Sequence, residues 1–374
     1  MGYVAVTGGK KAIEHASELV NYYRLKETEL LLSPQQIESQ MRILIDRVMG
    51  EGGLYAPEYA ALALKQAEGD PAEAAFLLRA YRSTLPRNYY SKTVEPGQMR
   101  VIRRISSSFK DIPGGQLLGP TYDYTHRLLN FNLRHENKIQ IESFLQSINL
   151  NKEQLDSVSS ISKVADLLRD QGLLANRESS EEEPFDITRE KLTFPAPRSA
   201  RLQSLARGET GAMTAMAYSS MRGYGAVHPT IGELRVGYSE VYIDYPFGDG
   251  EDSLYIGEVM LTEVETINSF TQNDQGDVEF MLGYGLTFGQ NEVKAIAMAI
   301  LERSLATVGS SPTQDEEFVL LHIDSVESNG FVSHLKLPHY ITFQSMLDRI
   351  RQAKKSETLD KKHQSQREAT FSHS

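Results

Sequence analysis

GYGLTFGQNEVKAIAMAILERSLA, residues 283–306, joins two periodicities in one short stretch. The residues leading into GYGLTFG alternate in the manner of a strand, and the same pattern recurs in YSEVYIDY (238–245) and LYIGEVML (254–261), with turn residues between. Val293, Ile296, Ala297, Ile300 and Leu301 then recur at three- and four-residue spacing. That spacing predicts a helix whose apolar stripe packs on the sheet, a core element and not a cofactor box. The chain is therefore expected to be α+β, with a helical N-terminal lobe followed by a mixed β-sheet region packed with helices.

Upstream, residues 9–85 read as helices. Ala12, Ile13, Ala16, Leu19, Val20 and Tyr23 form one apolar face. A second helix starts at Ser33-Pro34, where Gln36 completes a capping box, and carries Ile37, Met41, Leu44, Ile45 and Val48 toward the glycines around Gly52. A third is expected over about Pro57 to Glu68, and a fourth opens with Asp70 as cap and Pro71 in its first turn. Arg79 and Arg82 share a face of that helix and can jointly meet one anionic group. The divisions expected are a helical lobe over 1–95, a glycine-rich motif region with helices over 96–175, an acidic connector over 176–194, a mixed α/β region over 195–350 and a disordered polar tail over 351–374.

Composition narrows the class. The chain has 374 residues, 40% of them hydrophobic, and no apolar run near the roughly 20 residues that span a bilayer. The opening MGYVAVTGGKKAIEHA continues into an amphipathic helix and does not read as a signal peptide, so a cytoplasmic protein with no membrane segment is expected. A net charge of −11 argues against nucleic-acid binding. With no cysteine, this chain cannot supply disulfides, thiolate zinc sites or cysteine ligands to an iron–sulfur cluster.

Within that acidic balance, arginines gather in the motif-like segments. Arg103 and Arg104 lie in a predicted strand over Met99–Ile105, and KDIPGGQLLGP follows, with Gly114 and Gly115 between prolines. Such glycines permit either a tight turn or close approach to a phosphate. No GK[ST] follows, so this is not a Walker motif. In TYDYTHRLL, Asp123 and His126 would share a helical face and pair as carboxylate and imidazole. Further on, Arg198, Arg201 and Arg207 mark a helix start, and MRGYGAVHP sets Arg222, Tyr224 and His228 among glycines. Guanidinium groups suit bidentate phosphate contacts, so Arg79, Arg82, Arg103, Arg104, Arg198, Arg201 and Arg222 are the candidate substrate arginines, with Gly114 and Gly115 as backbone candidates. Taken alone, these residues describe a hydrolase or transferase acting on a phosphate-rich ligand.

DEEFVLLHIDSVESNGFVSHLKLPHY, residues 315–340, holds three of the nine histidines, His322, His334 and His339, beside Asp315, Glu316, Glu317 and Asp324. The first part is predicted helical, with Gly330 as its stop. Five residues apart on a helix, His334 and His339 would lie roughly 140° apart. Pro338 biases the chain out of helix, so a bent segment can bring both rings together. The pair fits either a structural role, each ring bonded to backbone, or part of a zinc site that needs further ligands.

SHLKLPHY after DEEFVL, together with DIPGGQLLGPTYDYTHRLL (111–129) and RGYG (222–225), resembles the PhnI family of subunits of the bacterial carbon–phosphorus lyase core complex. The resemblance runs from YVAVTGGKKAI to about Phe343. It implies an enzyme of phosphonate catabolism that, with PhnG, PhnH and PhnL, joins an alkylphosphonate to ribose C1 of ATP. Adenine is displaced and α-D-ribose 1-methylphosphonate 5-triphosphate forms; a nucleosidase activity is implied for the subunit alone. Breaking a ribosyl–base bond calls for a carboxylate near the developing cation and a proton for the base, roles open to Asp111, Asp123 and His126. The resemblance also implies zinc on His334 and His339 near the interface with PhnJ, and two copies in a symmetric hetero-oligomer. Two other readings stand beside it: a scaffold that presents the zinc while partners do the transfer, and a free-standing metal-dependent nucleoside triphosphate hydrolase.

Overall fold

The structure, a computed structural model, describes residues 9–148, 161–175, 182–224, 229–248, 252–272 and 275–371. In chain order the regular elements are α1 (Lys10–Leu25), α2 (Pro34–Gln40), α3 (Arg42–Gly52), α4 (Pro57–Gln66), α5 (Pro71–Thr84), β1 (Arg100–Ile105), α6 (Lys138–Ser147), α7 (Val164–Asp170), α8 (Arg198–Arg207), α9 (Thr210–Ser219), β2 (Thr230–Asp244), β3 (Ser253–Gln272), β4 (Val278–Phe288), α10 (Glu292–Leu305), α11 (Glu316–His322), α12 (Ser325–His334) and α13 (Tyr340–Phe371). The chain divides into two compact units, one of Met1–Glu29 with Glu327–Ser374 and one of Leu30–Val326. Among the described residues no helix is long and apolar enough to cross a membrane.

The larger unit begins with the helical lobe. Ser33 and Gln36 form the expected capping box, and Asp70 accepts from the amides of Ala72 and Glu73 at the head of α5. The single helix expected over Ile37–Val48 is two, because Met41 leaves helical geometry (φ −117°, ψ 38°). Ile45, Val48, Leu64 and Leu78 form the lobe's own core.

The sheet runs β1-β2-β3-β4. The α+β fold expected from the sequence is the one found: every neighbouring pair of these four strands is antiparallel, and Leu174 adds an isolated parallel bridge to Phe280 of β4. The links from β2 to β3 and from β3 to β4 are too short for the crossover that parallel neighbours require. One face packs on α10, where Leu234, Val236 and Val264 meet Ala295 and Ala299. The fit is close: a Cβ on Gly285 would stand 2.1 Å from the Ala295 carbonyl oxygen. The far side of α10 supplies Met298 and Leu301 to a second core with Leu205, Met213 and Val319.

In the smaller unit, α1 has no buried residue, and Ile13, Leu19, Val20 and Tyr23 are exposed. The expected disordered tail is helical instead, since α13 continues to Phe371. Its sequence from Ala353 is rich in good helix formers and lacks glycine and proline. The expected stop at Gly330 is also displaced. That glycine lies within α12, and the break comes at Ile323-Asp324, where the Asp324 carboxylate accepts from the Val326 amide (3.0 Å).

Candidate active site

Strand alternation puts Leu234 and Val236 against α10 and therefore Glu233 and Arg235 on the opposite face. Register extends that polar face across the sheet: Arg104 lies opposite Arg235, Arg235 opposite Glu263, Glu233 opposite Glu265, and Glu265 opposite Tyr284. Arg104, Glu233, Arg235, Glu263 and Glu265 are all buried. Glu233 Oε1 sits 2.5 Å from Arg104 Nε and 2.9 Å from Arg235 Nε. Lys163 Nζ reaches Glu263 (2.5 Å) and Glu265 (3.5 Å), and the Tyr284 hydroxyl donates to Glu263 (3.1 Å).

This network clamps the chain after residue 160 onto the sheet. Arg235 donates to the Ile161 carbonyl (2.8 Å), Arg104 to the Ser162 carbonyl (3.0 Å), and the Val164 amide to Glu233 (2.9 Å). Leu168 and Leu174 then pack near Phe280 and Leu282. A hydrophobic sheet face of equal volume would hold such a cover at less desolvation cost, so this many buried charges marks the face as a functional candidate. Burial raises the Glu265 carboxyl above the usual carboxylate range, with Lys163 opposing the shift. Burial raises the Tyr284 phenol too, reinforced by Glu263. For Lys163, burial pulls downward but Glu265 and Glu263 outweigh it, leaving the ammonium raised. At the β3–β4 side lies a cavity of about 310 Å³ lined in part by Arg169, Arg198, Glu265 and Tyr284.

A second buried cluster joins the helical lobe to α10. Lys294 is fully enclosed, and among the described residues its Nζ has no hydrogen-bond partner. Burial lowers its pKa to about 8, with Glu51 resisting and Arg47 and Arg79 adding to the shift. Glu51 accepts from Arg47 Nε (2.9 Å) and from the Thr210 hydroxyl (2.9 Å), while Arg47 also pairs with Glu209.

The sequence-derived candidates fall into distinct places. Arg79 and Arg82 do not converge on an open anion site: Arg79 bonds both oxygens of Asp324 (2.8 and 2.7 Å) and the Glu51 carbonyl, and Arg82 donates to the Gly53 carbonyl (3.1 Å). They close the C-terminal end of α3, where carbonyls lack helical partners. Arg103 is buried between Asp123 (2.5 Å) and Glu292 (3.0 Å). Arg104, also buried, donates to the carbonyls of Pro113 and Gly115. Gly114 and Gly115 both take left-handed backbone (φ 77° and 75°), so KDIPGGQ is a tight turn pinned through its carbonyls. TYDYTHRLL is a turn and not a helix; Asp123 pairs with Arg103 and Arg127, and the expected Asp123–His126 pair does not form. Asp111 and His126 are exposed. Arg198 Nε donates to Glu302 (2.9 Å), Arg201 lies 3.5 Å from Glu316, and Arg222 is exposed. His228 lies outside the described residues.

Glu233, Arg235, Glu263, Glu265 and Tyr284 were missed by motif reading. For the four charged residues the signal was present in GELRVG and TEVETI, where charges at i and i+2 must share one strand face. Lys163 and Glu302 carried no such local signal, because only the tertiary fold brings them to the sheet.

In the smaller unit the His334 and His339 rings lie 5.2 Å apart between centroids. His334 Nδ1 donates to the Phe331 carbonyl and His339 Nδ1 to the Leu337 carbonyl (2.7 Å). Those bonds leave both Nε2 atoms with lone pairs for a metal, the tautomer that zinc ligation uses. No third histidine, cysteine or carboxylate completes a metal cluster among the described residues.

Residues 2–357 match the family described as bacterial phosphonate metabolism protein (PhnI). The chain belongs to the PhnI family. It is 52% identical over 364 residues to HtxH of Stutzerimonas stutzeri, whose name provisionally makes it a C-P lyase subunit protein, with 94% of this chain and 95% of that protein covered. It is similar to two relatives named alpha-D-ribose 1-methylphosphonate 5-triphosphate synthase subunit PhnI. The one from Escherichia coli K12 is 48% identical, covering 93% of this chain and 97% of its own length. The one from Rhizobium meliloti is 43% identical, covering 94% and 95%. The PhnI match thus takes in the polar sheet face, the glycine turn and the histidine pair together.

Proposed function

We propose that this chain is a subunit of an enzyme that forms α-D-ribose 1-methylphosphonate 5-triphosphate, acting in phosphonate catabolism in the cytoplasm. The observation that carries this reading is the near full-length likeness to two relatives bearing that synthase name. The reaction joins methylphosphonate to ribose C1 of ATP. A phosphonate oxygen supplies the electron pair of the new C1–O bond, the C1–N9 bond breaks, and its electrons leave with adenine, which takes up a proton. Without phosphonate, water takes its place, a nucleosidase activity. The charge demand is a cationic surface for triphosphate and phosphonate and a carboxyl group near C1 and the leaving base.

PhnG, PhnH, PhnJ and PhnL are the proposed partners, with two copies of this chain in a symmetric assembly. The exposed apolar side chains of α1, and Phe331, Val332 and Leu335 at the end of α12, support work within a complex rather than alone. Asp111 and His126 stand on the exposed segment after β1, where a partner can complete a site around them. His334 and His339 are the proposed zinc ligands, and their paired Nε2 donors fit that ion with the remaining ligands supplied from outside the pair. Zinc bound there supplies either a Lewis acid or a fixed interface.

The test incubates the purified chain with ATP and methylphosphonate, with and without the four partners, and resolves adenine, phosphate and ribosyl products. A ribosyl phosphonate with stoichiometric adenine is expected from the assembled proteins. Phosphate release without adenine would overturn the reading in favour of a nucleoside triphosphate hydrolase.

A further inference from the structure

The cavity beside β3 and β4 has a built floor that the residue motifs did not reveal. Glu265 lines it, is only 6% exposed, and has one oxygen, Oε2, with no hydrogen-bond partner among the described residues. A buried carboxyl group left with unfilled bonding capacity is costly unless a ligand or water completes it. Its neighbours hold it in place without satisfying it: Lys163 lies 3.5 Å from Oε1, and Tyr284 is engaged with Glu263.

Two guanidiniums complete the lining. Glu302, itself buried, fixes Arg198 through Nε (2.9 Å) and accepts from the Tyr284 amide through its other oxygen (3.2 Å). That pair orients Arg198 relative to Tyr284 without consuming the terminal nitrogens of the guanidinium. Arg169 is tied to Asp166 on its own helix and lines the cavity from α7. Leu174 and Leu282 add an apolar wall. Paired guanidiniums suit a phosphate, a carboxyl group suits hydroxyls, and a short apolar wall suits the carbon face of a sugar. A volume of about 310 Å³ is at the small end for ligand cavities, enough for a pentose and its first phosphate rather than a whole nucleoside triphosphate.

We propose that this cavity is a subsite for a phosphorylated pentose, with Arg169 and Arg198 on the phosphate and Glu265 on the sugar hydroxyls. It rests on the synthase reading above, in which the pentose is the ribose that passes from ATP to the ribosyl phosphonate. Glu302 is a positioning residue here, acting through Arg198.

Ribose 5-phosphate is the probe, titrated calorimetrically into the assembled complex containing wild-type chain, Arg198→Met or Glu265→Leu, with thermal melting and subunit stoichiometry recorded for each. Saturable binding to wild type is expected, weakened about tenfold or more by either substitution, as follows from losing a hydrogen bond to a charged group. Arg198 is half-exposed, so its variant reports on binding even if Glu265→Leu disturbs the fold. No saturable binding to wild type, or affinity within twofold in the folded variants, would overturn the subsite. Inorganic phosphate binding as tightly as the sugar phosphate would overturn the recognition of the pentose. Product assays on the same samples separate the two ideas. A complex that makes the ribosyl phosphonate yet is indifferent to both substitutions loses only the subsite. One that binds ribose 5-phosphate through these residues but releases no adenine loses only the synthase reading.

Discussion

Arg104 and Glu233 meet across adjacent antiparallel strands, Nε to Oε1 at 2.5 Å, with neither side chain more than 3% exposed. Arg104 also holds the Pro113 and Ser162 carbonyls, so one guanidinium ties the glycine turn and the chain before α7 to the same sheet. Replacing it with Met leaves a buried carboxylate with Arg235 as its remaining cation and strips a donor from three carbonyls, those of Pro113, Gly115 and Ser162. Arg104→Met is expected to cost about 3–5 kcal/mol in urea unfolding, the range for breaking a buried pair from one side. The double variant Arg104→Met/Glu233→Leu should lose less than the sum of the single changes, because the residues share one network. Additive losses would show that the pair is not energetically coupled.

Lys294 predicts an alkaline signature. The unfolded chain keeps this proton up to its ordinary value of 10.5, whereas the folded chain releases it near 8. Between those values the unfolded state binds more protons, so stability rises with pH, and the penalty is fully present below 8. The shift corresponds to roughly 3 kcal/mol, since each unit is about 1.4 kcal/mol. Lys294→Met removes the charge at similar volume, and Arg47 still pairs with Glu51. The variant should therefore be more stable than wild type at neutral pH, by roughly 1–3 kcal/mol, with the advantage shrinking as pH approaches 10. A constant difference across that range would mean that Lys294 does not titrate as its burial implies.

Gly285 tests the strand and helix contact that organises the larger unit. An added Cβ would stand 2.1 Å from the Ala295 carbonyl oxygen and 3.2 Å from the Ala299 amide nitrogen, both backbone atoms that cannot rotate away. Gly285→Ala should destabilise the chain by about 1–3 kcal/mol, the usual cost of overpacking, even though alanine favours neither a cavity nor a buried charge. Gly115 is the contrast: nothing lies within 4 Å of its would-be Cβ, so substitution there acts through its left-handed φ of 75°. Thermal melts of both variants measure the difference, and an unchanged midpoint for Gly285→Ala would mean that β4 and α10 are not in this close contact.

The elements were legible where periodicity or capping fixed them locally. Ser33 with Gln36, Asp70 with Pro71, and the stripe of Ile296, Ala297 and Ile300 each encode an element without help from distant chain. The arginines were harder, because a guanidinium that binds phosphate and one that closes a helix end have the same sequence appearance. Only the fold reveals that Arg79 and Arg82 cap α3 and that Arg103 and Arg104 are buried pairs. Strand direction was likewise undetermined by alternation alone, which is common to parallel edge strands and antiparallel meanders. The clearest overlooked signal was the pairing of Glu263 with Glu265 at i and i+2, where a strand expected to be half apolar presents carboxylates to its covered face.

The histidine pair separates ligation from folding. His339 is exposed and His334 is partly buried, and each Nδ1 is satisfied by a nearby carbonyl of its own segment. Removing two imidazoles that bond only to carbonyls of their own segment should leave the melting midpoint of the isolated chain near the small range typical of surface changes, about 0.5 kcal/mol. The same removal deletes two nitrogen donors at once, and two donors from one chain are too few to hold zinc without outside ligands. His334→Ala/His339→Ala is therefore expected to abolish zinc retention in the assembled complex, measured as metal per complex after dialysis, while the isolated chain melts as before. If zinc only fixes the interface, subunits should dissociate in the variant and adenine release should fall with assembly. If zinc acts in the chemistry, assembly should persist while turnover is lost. Full metal content in the double variant would remove both residues from the metal site.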